Sequence, residues 1–265
     1  MNIGDFTTTL PTGTALQMND DGYFGAKVAR TYDQDHGGND PIVIDRVVAC
    51  LKELAGTGEA LEFAIGTGRI ALPLSASGCK VKGIELSNAM VAELRKKETD
   101  GSLQVEIGDM VSARIPGAFS LVYLVFNTID NLVTQEAQTA CFENAARHLV
   151  PGGRFLIETR VPPVQRIPFG QTTLAFACDE KHIGVDEFDL VNQTYTSNHV
   201  WMTGDRHEFL SIPFRYAWPS EMDLMAWGSP CFWSGLHATF RVSFSWAVNS
   251  FGVKFPSDEC GLVSL

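Results

Sequence analysis

Five short apolar runs, at 60–64, 81–84, 103–107, 119–126 and 154–158, alternate with segments of helical length, and this alternation constrains the fold more than any other feature. Apolar strands without a polar face must be covered on both sides, so the pattern predicts a mostly parallel sheet between two helix layers. Before the first run, Asn39-Asp40-Pro41 supply a cap and a first-turn proline for a helix through Ile44, Val47, Val48, Leu51 and Leu54 that ends near Gly56. The first run, Ala60 to Ala64, enters Gly66-Thr67-Gly68 and a helix from Arg69 to Ala76. Ser87 caps a helix reaching about Glu98, and a helix from about Thr134 to Leu149 leads into the turn Pro151-Gly152-Gly153.

The pattern changes after Pro162-Pro163. From about Thr173 to Tyr216, short alternating runs separated by turns at Asn192-Gln193 and Gly204-Asp205 predict an antiparallel insertion of three or four strands. Tyr195, Ser197, His199 and Trp201 share one face of a strand there. Trp218-Pro219-Ser220 opens a short helix from Glu221 to Ala226. The last stretch is rich in tryptophan (Trp227, Trp233, Trp246) and poor in charge. The alternation of Phe240, Val242, Phe244, Trp246 and Val248 reads as a terminal strand or hairpin completing the sheet, against a second reading as a loosely packed terminus. The expected organisation is a core over 1–161, a β-rich cover over 162–217, and a helix with terminal strands over 218–265.

A chain of 265 residues with 45% apolar content can bury one sizeable core. Its net charge of −11 opposes a phosphate backbone, so nucleic acid is not an expected partner. No basic, apolar leader and no membrane-length apolar run is present, so a cytoplasmic protein without a membrane partner is expected. Cys50, Cys79, Cys141, Cys178, Cys231 and Cys260 lie too far apart for a zinc pattern, and no metal site is expected.

A strand, a bare glycine turn and a helix let backbone N–H groups and the positive helix end approach a polar ligand. Glu85 ends the next strand, where a carboxylate can accept from both hydroxyls of a ribose. The pair points to an adenosine ligand. Gly66-x-Gly68-x-x-Ala71 also satisfies a relaxed dinucleotide pattern, but Glu62 just before the turn would repel a pyrophosphate and suit a cationic amino-acid end. Asp109, after the third run, can accept from an adenine amino group.

In Leu61-Glu62-Phe63-Ala64-Ile65-Gly66-Thr67-Gly68-Arg69 and Gly83-Ile84-Glu85-Leu86-Ser87 the chain resembles the class I S-adenosylmethionine-dependent methyltransferases. The resemblance continues through Gly108-Asp109-Met110, Phe126-Asn127-Thr128 and Leu149-Val150-Pro151-Gly152-Gly153, with Ala64 a departure from the family's usual glycine. It implies a Rossmann-like α/β fold with S-adenosylmethionine as cofactor, S-adenosylhomocysteine as product and a small-molecule acceptor. By the same resemblance Ala64, Gly66 and Gly68 line the methionyl part, and Glu85 holds the ribose. Leu86, Met90, Asp109 and Met110 surround the adenine, Phe126 and Asn127 face the reactive methyl, and Tyr32 closes over the cofactor.

The insertion resembles the β-rich covers of small-molecule methyltransferases, including sugar-amine N-methyltransferases of natural-product pathways. Candidates for proton handling are Asn127, Glu158 and His199, with His182 beside them; candidates for acceptor contact are Arg160, Tyr195, Trp201 and Tyr216. Transfer to nitrogen or oxygen stays open, as does a homodimer. An NAD-dependent oxidoreductase and a non-catalytic cofactor-binding protein are the alternatives.

Overall fold

The computed structural model describes residues 23–35, 40–99, 101–160, 163–204, 206–228 and 239–244. Its centre is a six-stranded parallel sheet in the order β3-β2-β1-β4-β5-β10, formed by β1 (Glu59–Phe63), β2 (Val81–Glu85), β3 (Gln104–Ile107), β4 (Phe119–Leu124), β5 (Leu149–Thr159) and β10 (Thr239–Phe244). Chain order runs outward from β1 to β3, then resumes at β4 on the other side. That reversal opens a crevice above the carboxyl ends of β1 and β4, where ligands of such sheets bind.

Helices cover both faces, as the apolar runs require. On one side Leu51 and Leu54 of α2 (Pro41–Ala55), Leu74 of α3 (Ala71–Ala76) and Leu94 of α4 (Asn88–Lys97) pack over Ala60, Leu121 and Tyr123. On the other, Phe142 and Ala145 of α5 (Gln135–His148) and Met222 and Met225 of α6 (Pro219–Gly228) pack over Phe63, Val122 and Phe155. The side chains of Asp40, Ser87 and Thr134 cap α2, α4 and α5 by accepting from Ile42, Met90 and Ala137 N–H groups.

Two strand boundaries and one helix stand out against the sequence expectation. β4 stops at Leu124, because Phe126 and Asn127 both adopt left-handed backbone, φ 59° and 58°, which no strand accommodates. β5 starts five residues early, at Leu149, since Phe119 pairs with Leu149 and the Pro151-Gly152-Gly153 segment forms an irregularity within the strand. A helix absent from the expectation, α1 (Ala26–Asp35), lies over the glycine turn.

The insertion is a separate four-stranded antiparallel sheet of β6 (Thr173–Cys178), β7 (His182–Asp189), β8 (Thr194–Thr203) and β9 (Arg206–Arg215), in sequential order. Its base docks through Phe188, Tyr195 and Tyr216, and through Arg215, which bonds Gln138 of α5 and Glu221 of α6. The terminal strand enters as β10, parallel to β5 at the sheet edge. The expected continuation of that strand through Trp246 and Val248, and the reading of a loosely packed terminus, fall outside the described residues. Among the described residues no helix is long and apolar enough to cross a membrane, and no group of three metal-ligating side chains occurs.

Candidate active site

The crevice at the strand tips holds two adjoining cavities. The larger, about 240 Å³, is lined by Tyr32, Ala64, Gly66, Glu85, Leu86, Met90, Asp109, Met110 and Phe126, all expected from the sequence, together with Phe24, Thr128, Asn131 and Leu132, which were not. The smaller extends it over the glycine turn, between Tyr32, Glu62, Arg69 and Phe126.

Glu85 organises the turn. It is 5% exposed, and its two oxygens accept from the Gly66 N–H at 2.7 Å and the Ser87 N–H at 2.9 Å. A carboxylate offers about four acceptor sites on its two oxygens, so one group can hold a turn and also accept ribose hydroxyls. The turn itself follows a glycine-type path: Ala64, Gly66 and Gly68 all have positive φ, 52°, 56° and 76°. Ala64 thus keeps the backbone of the residue it replaces and carries left-handed strain of about 1–2 kcal/mol. Gly68 does not line either cavity. A Cβ on it would lie 2.9 Å from Leu94 Cγ, so its role is close approach of the turn to α4.

At the far end of the crevice sit a carboxyl and a guanidinium. Glu62 is buried and accepts from Tyr123 Oη at 2.9 Å; burial pushes its carboxyl up to about 8, against the lowering pull of Tyr123 and Arg69. The Arg69 guanidinium lies 3.8 Å over the Phe126 ring and 5.5 Å from that of Tyr32, and its buried Nη1 has no hydrogen-bond partner among the described residues. A buried, unmatched cation of planar geometry suits a carboxylate. Asp109, by contrast, is exposed at the adenine end and already accepts from the Val111 N–H at 3.0 Å.

Helix α1 is strapped across this end. Asp33 accepts from Thr67 Oγ1 and from Lys97, both at 2.6 Å, and Ser87 Oγ donates to the Phe24 carbonyl at 2.7 Å. Tyr32 meets Phe24 edge-on, and burial raises its phenol above the usual range.

The acceptor-side candidates fall into two groups. Asn127, Glu158 and Arg160 come together at the tips of β4 and β5: Glu158 accepts from the Phe126 N–H through its carboxylate and from the Asn127 N–H through its carbonyl, while Asn127 Oδ1 accepts from the Arg160 N–H. These contacts hold the left-handed Phe126-Asn127 turn, and Asn127 is not among the residues lining either cavity. On the cover, Tyr195 is buried and its hydroxyl accepts from Arg160 Nη2 at 2.7 Å, 3.5 Å from Asp130 Oδ2. His199 lies further along the same face, 2.9 Å from His182 and 3.2 Å from Ser197 Oγ, with Trp201 beside the pair. Tyr216 packs between Phe188 and Trp218 at the cover's base, which makes it glue between layers.

Sequence reasoning passed over Arg69, Tyr123, Asp130 and Asp186. Asp130 is 1% exposed, in the 3-10 turn after β4, bonded by Thr159, and burial pushes its carboxyl up to about 7. The one available signal was an acid set among apolar neighbours, Ile129 and Leu132. Asp186 faces Ser197 across β7 and β8, and its Oδ1 is buried without a hydrogen-bond partner among the described residues.

Residues 60–153, which contain the turn, Glu85 and Asp109, match the sequence model of the methyltransferase domain. The chain is 29% identical over 139 residues to dTDP-3-amino-3,6-dideoxy-alpha-D-glucopyranose N,N-dimethyltransferase of Streptomyces fradiae, covering 51% of this chain and 54% of the relative. It is 34% identical over 98 residues to the corresponding 3-amino-3,4,6-trideoxy enzyme of Streptomyces venezuelae, covering 37% and 40%. The chain thus spans about half the length of these curated relatives or less. Among solved structures, the CcbJ methyltransferase from Streptomyces caelestis superposes with a TM-score of 0.67 at 29% identity, over 77% of this chain and 84% of that one. SAM-bound CalS10 from Micromonospora echinaspora, an amino pentose methyltransferase, shares the fold at a TM-score of 0.60 and 20% identity, over 75% and 86%. Of the two adenosine-ligand readings, the domain match supports the methyltransferase and not the oxidoreductase.

Proposed function

We propose that this chain is an S-adenosylmethionine-dependent methyltransferase that methylates an amine of a small molecule, an amino sugar or related natural-product intermediate. The observation that carries the reading is the split recognition along one crevice: Glu85 beneath the ribose position, and the Glu62 carboxyl and Arg69 guanidinium at the opposite end. A zwitterionic amino acid joined to a nucleoside matches that order of groups; a dinucleotide, anionic in the middle, would meet Glu62.

The residues present fit the cofactor. Arg69 would take its carboxylate, Glu62 its ammonium, Glu85 its ribose hydroxyls, and Leu86, Met90, Asp109 and Met110 its adenine. Bound there, the cofactor supplies an electrophilic methyl on a sulfonium sulfur. What remains for the protein is orientation, exclusion of water and removal of a proton from the acceptor, of which orientation alone can contribute several kcal/mol and up to roughly 10 in favourable intramolecular cases. Tyr32 and Phe24 on the α1 side close the cofactor cavity, and the cover closes the acceptor side. Arg160 and Tyr195 stand where the two meet, with Trp201, 38% exposed, and His199 further along the cover for a ring-shaped acceptor. The relatives' own acceptors, amino sugars carried on dTDP, set the first compounds to try.

The test is transfer of label from methyl-labelled S-adenosylmethionine to a panel of nucleotide-linked and free amino sugars and other secondary-metabolite amines. Label in an amine product supports the reading. Tight binding of S-adenosylhomocysteine with no transfer across hydroxyl and amine acceptors would instead favour a non-catalytic cofactor-binding protein.

A further inference from the structure

Tyr123 is a fully buried tyrosine near the carboxyl end of β4, and Glu62 is its direct partner on β1. A hydroxyl in the centre of a parallel sheet needs a bonding partner, and this one donates to Glu62 Oε2 at 2.9 Å, just beneath the smaller cavity. The Ala71 N–H at the start of α3 also faces Glu62 and favours its charged form. The charged and titratable groups around the pair come from every neighbouring element: Arg69 after the turn, Glu85 on β2, Tyr32 on α1, and Cys79 beside Tyr123. Arg69 is turned onto the Phe126 ring, and among the described residues its buried Nη1 has no hydrogen-bond partner, Glu62 included. A buried carboxyl in such company, with one acidic neighbour and no bonded cation, favours its neutral form.

We propose that Glu62 and Tyr123 form a carboxyl–phenol pair that holds a proton in the free protein and releases it when the ammonium of the cofactor's amino-acid end docks, with Tyr123 as the positioning residue. The inference rests on the cofactor reading above and adds to it a proton and a residue. In the free protein the Glu62 oxygen that does not face Tyr123 carries the hydrogen. On docking, that O–H bond breaks, the proton passes to solvent, and the carboxylate accepts from the ligand's N–H instead. The ligand's ammonium keeps its own three protons, so one proton leaves per cofactor bound. Tyr123 donates throughout and fixes which carboxylate oxygen faces the cavity. Burial sets the direction, since it pushes Glu62 up to about 8 while the phenol goes up further still.

Calorimetric titration of the full chain in buffers of different ionisation enthalpy measures the proton count directly. S-adenosylhomocysteine at about pH 7 should release close to one proton, about 0.9 for a group titrating at about 8. 5′-Methylthioadenosine, which has the nucleoside and no amino-acid end, should release none. Glu62→Gln should abolish the release, and Tyr123→Phe should move it to higher pH and weaken S-adenosylhomocysteine about tenfold, because the donor that eases ionisation is gone. The comparison of the two ligands on the unmodified protein stands even where a variant fails to fold. Binding of S-adenosylhomocysteine with no proton exchange between about pH 6 and pH 9, or an undiminished release from Glu62→Gln, overturns the proposal and leaves the cofactor reading intact. An unchanged pH profile in Tyr123→Phe overturns the role of Tyr123. No binding of either ligand overturns the cofactor reading itself.

Discussion

Glu85→Ala separates the two duties assigned to that carboxylate. In the free protein its oxygens satisfy the Gly66 and Ser87 N–H groups at 2.7 and 2.9 Å, and an alanine leaves both donors unmatched. An unsatisfied buried donor costs about 1–3 kcal/mol. The site borders the cavity, where water can take the vacated place, so the lower half of that range applies and the folded state loses about 2–4 kcal/mol in all. Cofactor binding loses two further hydrogen bonds to a charged acceptor, about 1.5–3 kcal/mol each, which together weaken the affinity by roughly 10² to 10⁴. Because the ribose is common to both ligands, the loss should be equal for S-adenosylhomocysteine and 5′-methylthioadenosine. Calorimetry of the two ligands, with thermal unfolding of the free protein alongside, reads both effects. A folded variant that binds within about threefold of the parent refutes the assignment of the ribose to Glu85.

Three other substitutions test separate parts of the account. Arg69→Ala should weaken S-adenosylhomocysteine by about tenfold or more and leave 5′-methylthioadenosine unchanged, since only the former carries a carboxylate; equal losses would place the guanidinium elsewhere. Gly68→Ala forces a Cβ to within 2.9 Å of Leu94 Cγ at φ 76°, and should cost about 2–4 kcal/mol of stability by denaturant unfolding; a neutral outcome would mean that α4 yields freely. Asp130 titrates near 7 when folded and as an ordinary carboxyl when unfolded, so the folded state binds the extra proton between about pH 4 and pH 7. Its contribution to stability therefore falls as pH rises through that window, by up to about 1.4 kcal/mol per pH unit, and Asp130→Asn should flatten that part of the stability profile. Identical profiles for the two proteins would contradict the burial argument.

The parallel core was legible because its strands are apolar on both faces and its helices carry caps: Asp40, Ser87 and Thr134 stand where their side chains bond the first turn. Glu85 stood out for a similar reason, since the spacing from Gly66 to Glu85 is set by one helix and one strand, both local. What stayed hidden depends on contacts distant in sequence. Helix α1 lacks an acidic first turn and a basic last turn, and it is held by Asp33 reaching Thr67 and Lys97 across the fold. Tyr123 reads as one more apolar residue in its strand until Glu62 is placed beside it. Arg69 sits inside the most recognisable motif, yet the direction of its guanidinium, over Phe126, emerges only in the fold. The end of β4 was misread because the left-handed pair Phe126-Asn127 has no glycine to announce it; Glu158 holds it from the next strand. Gly68 was read as a ligand contact because glycine serves ligand approach and helix approach equally well; in the fold it lies against Leu94 and lines neither cavity.

A crystal structure of the protein with S-adenosylhomocysteine tests the central claim most directly. The account predicts the ribose hydroxyls on Glu85, the adenine between Met90 and Met110, the carboxylate on Arg69 and the amino group over Glu62. A nucleoside bound away from the tips of β1, β2 and β4, or bound there with Glu85 making no contact to it, would contradict the account.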